Sequence, residues 1–176
     1  MRPQFLALTL LACGLALPAC AQTAPAAPAA NQVMNLFFDA GDLPAAIAKL
    51  KAARVNNQPL VTQPRLLNMP PYRVQLEYRP GAAPAIIHDI DAEMMVVVEG
   101  TGTVVTGGKL VNETRTNAAN RAGPSIEGGQ SREIGPGDVI LVPENVAHQV
   151  IPGSGQEIVI ISIHMPRPAQ PGWSWP

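Results

Sequence analysis

The chain has 176 residues, with 12 basic and 13 acidic side chains, a formal net charge of −1, and only 14% charged residues. That balance supplies neither the basic footprint of a nucleic-acid binder nor a polybasic membrane patch. A hydrophobic fraction of 47% excludes disorder of the whole chain, while 15 glycines and 19 prolines predict short elements separated by turns.

Residues 1–21 read as a signal peptide. Arg2 is the single charge, Phe5 to Leu17 is an apolar run too short to span a bilayer, and Ala19-Cys20-Ala21 is a small-x-small cleavage pattern. The expectation is a periplasmic or secreted protein beginning at Gln22. Leu17-Pro18-Ala19-Cys20 gives the alternative, a lipoprotein held to a membrane through Cys20. Both cysteines, Cys13 and Cys20, fall in this segment, so the domain that follows has neither disulfide nor thiolate ligand.

An Ala/Pro linker occupies residues 22–30. Residues 31–70 are expected to hold a short helix and an extended arm. Asp42 is placed to cap the helix, Pro44 sits in its first turn, and Leu43, Ile47 and Leu50 recur at helical spacing. Lys49, Lys51 and Arg54 suit its C-terminal end. Prolines at 59, 64, 70 and 71 make Leu60 to Pro71 an arm running over the surface.

From Tyr72 the pattern becomes that of strands. They are expected over Arg73–Tyr78, Ala85–His88, Glu93–Glu99, Thr103–Thr106, Arg132–Ile134, Val139–Val142, Gln149–Ile151 and Glu157–His164, which is an all-β sandwich or barrel over residues 71–165. Several of these strands are apolar on both faces, so the N-terminal helix and arm, or a second subunit in a homodimer, must cover the outer one. Lys109 to Gln130 is polar and aperiodic, a lid over one end of the barrel or a tolerated surface excursion. The tail, 166–176, carries Trp173 and Trp175 and is expected to fold back or stay loose.

Two of the three histidines sit in spaced motifs, His88-x4-Glu93-x6-Gly100 and Gly137-x5-Pro143-x-Asn145-x2-His148. His88 ends one strand and Glu93 opens the next, while His148 follows the Pro143-Glu144-Asn145 turn. Two imidazoles and a carboxylate on rigid strands form a facial triad with open positions, suited to Fe(II) first and admitting Mn, Ni, Zn or Cu. Asp91 either assists Glu93 or bonds its own backbone. Tyr72, Arg73, Gln75 and Glu77, with Tyr78, share a strand that either lines a substrate pocket or faces solvent. His164 ends the last strand, as a rim or surface residue or as a catalytic base at the substrate pocket.

These two motifs resemble those of the cupin superfamily, and the resemblance covers roughly Tyr72 to Met165. It implies a small single-domain double-stranded β-helix, or jelly-roll, barrel. It also implies a three-His-one-Glu metal set, of which His88, Glu93 and His148 are present. Ile86 stands where the first histidine belongs, Pro152 where the second motif has Asn, and Asn145 where it has Gly. The function implied is a metal-dependent oxygenase, lyase or isomerase acting on a small molecule, with Glu93 neutralising the ion or shuttling a proton. Ile86 favours the alternative, a metal-free barrel that binds a small metabolite or sugar without catalysis. A structural protein whose apolar sheet serves assembly is a third reading.

Overall fold

The computed structural model describes residues 36–166, the side chain of Asn68 excepted. The segments expected to be a signal peptide (1–21) and an Ala/Pro linker (22–30), and the tail beyond residue 166, lie outside the described residues.

A 3-10 turn over Ala40–Asp42 leads into the helix α1, Leu43–Ala52. The N-terminal cap differs from expectation: Asp42 makes no side-chain cap, and Asp39 instead accepts from the Gly41 amide at 2.7 Å. The extra 3-10 turn moves the first free amides back by three residues, and the cap moves with them.

Thirteen strands follow among the described residues: β1 Val61–Met69, β2 Tyr72–Arg79, β3 Ala85–His88, β4 Asp91–Glu99, β5 Gly102–Thr106, β6 Lys109–Leu110, β7 Thr114–Asn117, β8 Asn120–Gly123, β9 Ile126–Glu127, β10 Gln130–Ile134, β11 Val139–Val142, β12 His148–Pro152 and β13 Ile158–Pro166. One antiparallel sheet runs β1-β2-β13-β4-β11, a second runs β10-β5-β12-β3-β8-β7, and β6 pairs with β9. The expected all-β class is what the structure shows.

Two expectations are corrected. The stretch from Leu60 to Pro71 is no free arm but the edge strand β1, paired to β2 from Val61–Tyr78 to Met69–Tyr72. Pro64 is accommodated because the pairing shifts register between Gln63 and Leu67 and Arg65 takes a φ of 65°; a strand edge with a bulge tolerates a missing N–H. The segment Lys109 to Gln130 is likewise no aperiodic excursion. Its polar residues build the short strands β6 to β9.

The covers required by the two-sided apolar strands are visible. Ile47 and Leu50 of α1 pack with Val61, Leu76, Tyr78 and Val159 on the outer face of the first sheet. Lys51 bridges Glu99, at 3.0 Å, and Glu157, tying the helix to the ends of β4 and β13. Leu110 and Ile126 cover Ala85, Ile87 and Ala147 on the outside of the second sheet. Against the described residues β11 keeps a bare outer face, with Val139 64% and Leu141 61% exposed. Leu50 is 3% exposed. Leu50→Ala is therefore expected to cost roughly 2–5 kcal/mol by chemical denaturation; an unchanged midpoint would mean that the helix does not seal the sheet.

Inside the barrel the side chains change character along the strands. Met95 and Val97, Ile158 and Ile160, and Val150 build an apolar core with Val104, Ile134 and Val142. Two residues further along the same inward faces stand Glu93, Ser162 and His148. With period-two alternation, one end of the barrel is hydrocarbon and the other is a buried polar cluster.

Candidate metal centre

Turn geometry brings the two motif histidines together. Gly100 (φ 79°) ends β4, and a Cβ there would meet the Glu157 carbonyl oxygen at 1.7 Å, so only glycine fits. Asn145 takes the left-handed φ of 63° expected of it. Its amide donates to the His88 carbonyl at 2.8 Å and its side chain to the Asp89 carbonyl at 3.1 Å. The turn before β12 is thus laced to the end of β3.

His88, Glu93 and His148 are all buried, and they converge. His88 Nε2 lies 3.2 Å and His148 Nε2 2.9 Å from the same oxygen, Glu93 Oε2. Ser162 donates its hydroxyl to the other, Oε1, at 2.5 Å. Each imidazole is held from behind: Asn120 Oδ1 faces His88 Nδ1 at 2.7 Å, and the Val146 carbonyl faces His148 Nδ1 at 3.3 Å. Both Nδ1 atoms donate outward, so both Nε2 lone pairs aim at a carboxylate. A lone pair facing a carboxylate oxygen is repulsive unless a proton or a cation lies between them.

The electrostatics agree. Burial disfavours an ionised Glu93, but the histidine hydrogen bonds outweigh it and hold the carboxyl well below its ordinary range. Burial also opposes a charged His88, yet Glu93 and Asn120 more than offset it and raise its pKa. Burial pushes His164 down. The donor set fits a divalent cation: two oriented imidazoles and one ionised carboxylate, with second-layer oxygens in place. A cation and a proton compete for His88 Nε2. Zn or Mn affinity is therefore expected to rise with pH until the raised His88 pKa is passed, then level off, while Glu93 stays ionised throughout. Indicator competition at several pH values checks this; an affinity independent of pH would contradict it.

A cavity of about 300 Å³ opens beside the centre, lined by Gln75, Glu77, Ile86, His88, Glu93 and His164 among others. Glu77 is buried against Arg79, with Nε at 3.0 Å and Nη2 at 2.6 Å, and Gln75 donates to its other oxygen at 2.8 Å. Gln75, Glu77 and His164 thus face the cavity and not solvent. Arg73 pairs with Asp91 on the same side and has an exposed head, outside the lining. Tyr72 is 44% exposed and alternates onto the other face, so it is removed from the pocket. Asp91 is engaged with Arg73 and belongs to neither group of side chains that could hold an ion among the described residues.

Three contributors were missed by the sequence reading. Asn120 sits in the segment taken as a lid or excursion, which carries no periodic signal. Ser162 had one: it is the lone hydroxyl in the apolar run Ile158–Ile163, two residues before His164 on one strand face. Arg79 follows Glu77 at the same spacing.

No protein-family model matches the chain, and no curated protein matches it. Similar solved structures include the TT1209 protein of Thermus thermophilus (18% identity, TM-score 0.49, 69% of this chain and 95% of that one). A cupin protein, BF4112, from Bacteroides fragilis is similar at 15% identity and TM-score 0.45, over 69% of this chain and 87% of that one. KdgF from Halomonas sp. is similar at 15% identity and TM-score 0.44, over 65% of this chain and 87% of that one. The centre lies at the polar end of the barrel, between the two sheets.

Proposed function

We propose that the chain is an exported cupin metalloenzyme that holds one divalent transition metal on His88, Glu93 and His148 and acts on a small oxygen-bearing molecule. The observation that carries this is the pair of Nε2 atoms, both with Nδ1 tied back to oxygen, aimed at one carboxylate oxygen. When bound, the ion supplies Lewis-acid polarisation or activation of water or dioxygen at its open positions. The two-imidazole, one-carboxylate set favours Fe(II), with Mn, Ni, Zn and Cu as competitors. Oxygenase, lyase and isomerase chemistry all suit such a centre.

The chain's own residues divide the work. Ser162 fixes Glu93 Oε1, so that Oε2 stays aimed at the histidines. The depressed Glu93 pKa favours a charge-neutralising role over a proton shuttle. Gln75 and the Glu77–Arg79 pair form a preorganised polar wall for a ligand's oxygens, and Ile86 gives it an apolar neighbour.

Export rests on residues 1–21. A second copy covering Val139 and Leu141 on β11 completes a homodimer; a monodisperse monomer by light scattering would contradict that part. Thermal melting tests the main reading. A metal that binds the folded chain at 100 times its Kd stabilises it by about 2.7 kcal/mol, a gain that a chelator removes. The second reading, a metal-free binding barrel, is favoured by Ile86 and requires small-molecule affinity that survives chelation.

A further inference from the structure

His164 is 4% exposed, and its Nδ1 has no hydrogen-bond partner among the described residues. In His88 and His148 the arrangement is uniform: Nδ1 points outward to an oxygen and Nε2 inward to Glu93. His164 repeats it at longer range. Asp91 Oδ2 lies 3.8 Å from its Nδ1, and Glu93 Oε1 lies 3.8 Å from its Nε2. Its ring stands edge-on to His88, with centroids 4.8 Å apart. Register puts it there: His164 on β13 is the direct partner of Glu93 on β4.

We propose that His164 is a further ligand of the metal centre, supplied from β13 in place of the imidazole missing at Ile86. The proposal rests on the metal reading of His88, Glu93 and His148. Ile86 on β3 and His164 on β13 line one cavity from opposite sheets, together with His88 and Glu93. Gln75 Nε2 lies 3.3 Å from His164 Nε2, and since an amide N–H can only donate, Nε2 carries the ring's lone pair on the cavity side. Gln75 keeps its bond to Glu77 when that contact is given up. Three imidazoles and one carboxylate select a borderline-soft transition metal over Mg or Ca.

A rival arrangement is a second ion on Glu77, Glu93 and His164, with Glu93 shared between two metals. The chemistry of Glu77 argues against it. Both its oxygens are engaged, one by Gln75 and one twice by Arg79, and a buried guanidinium repels a second cation.

The test uses the full chain loaded with Cu(II) or Zn and compares it with His164→Ala and His148→Ala. Electron paramagnetic resonance of the Cu(II) form is expected to show three coupled nitrogens in the parent and two in His164→Ala. Zn affinity falls by about 10- to 100-fold in that variant, a loss at least equal to that of an outer partner. Ile86→His added to His164→Ala restores both, because residues 86 and 88 share one face of β3. His164→Gln, which keeps much of the volume, serves if the alanine variant does not fold. An unchanged spectrum and affinity in His164→Ala, with loss in His148→Ala, overturns the proposal and leaves the triad standing. Two ions per chain in the parent and one in His164→Ala overturn it in favour of the shared carboxylate. A parent that takes up no ion overturns the triad itself, and this inference with it.

Discussion

Replacing His148 by alanine is expected to strip the centre of its metal and leave the barrel folded. His148 is 2% exposed at the start of β12, and its Nε2 approaches Glu93 Oε2 more closely than any other imidazole nitrogen does. Loss of an outer-layer partner lowers metal affinity about 10- to 100-fold, so loss of this ligand is expected to exceed that range. Asn120→Ala, which frees His88 to rotate, falls within it. The fold survives because the apolar cluster of Met95, Val97, Val150, Ile158 and Ile160 lies at the other end of the barrel. Chelator competition and circular dichroism on the metal-free protein read the two effects separately. Parent-like affinity in His148→Ala would contradict the assignment.

The largest expected loss of stability lies beside the centre, at Glu77. Glu77 and Arg79 are 3% and 8% exposed, and each is the other's charge partner. Glu77→Ala leaves a buried guanidinium without a counter-charge, a change that costs about 3–5 kcal/mol. Replacing both, with Arg79→Met added, is expected to recover much of that loss, because the cost lies in the unpaired charge. Urea denaturation of the two single variants and the double variant measures the coupling. Equal losses in Glu77→Ala and the double variant would show that packing, not charge, holds this wall.

The sequence made the strands legible wherever one inward face stayed apolar or ended in a motif residue. β3 and β11 were read to the residue, and β2, β4, β5 and β12 to within two residues at either end. The edge elements were not legible, for physical reasons. β1 hides behind Pro64, whose missing N–H is harmless at a bulged edge, and β6 to β9 are too short and too polar for any period to show. The centre was legible in part. His88, Glu93 and His148 announce themselves through spacing against glycine and proline, which set the turns. Asn120 acts through pairing between distant strands, which no local pattern encodes, whereas Ser162 left only the faint signal of one hydroxyl in an apolar run. Tyr72 failed for the opposite reason: β2 does line the cavity, but alternation turns the tyrosine outward.

The most direct measurement is the metal content of the purified full chain, dialysed against Fe(II), Mn, Ni, Zn and Cu in turn and then freed of loosely held ions. Close to one ion per chain is expected for at least one of these metals, with the fold more resistant to heat when loaded. A chain that retains none of them, while its two Nε2 atoms still face Glu93, would contradict the claim that the cluster is a metal centre.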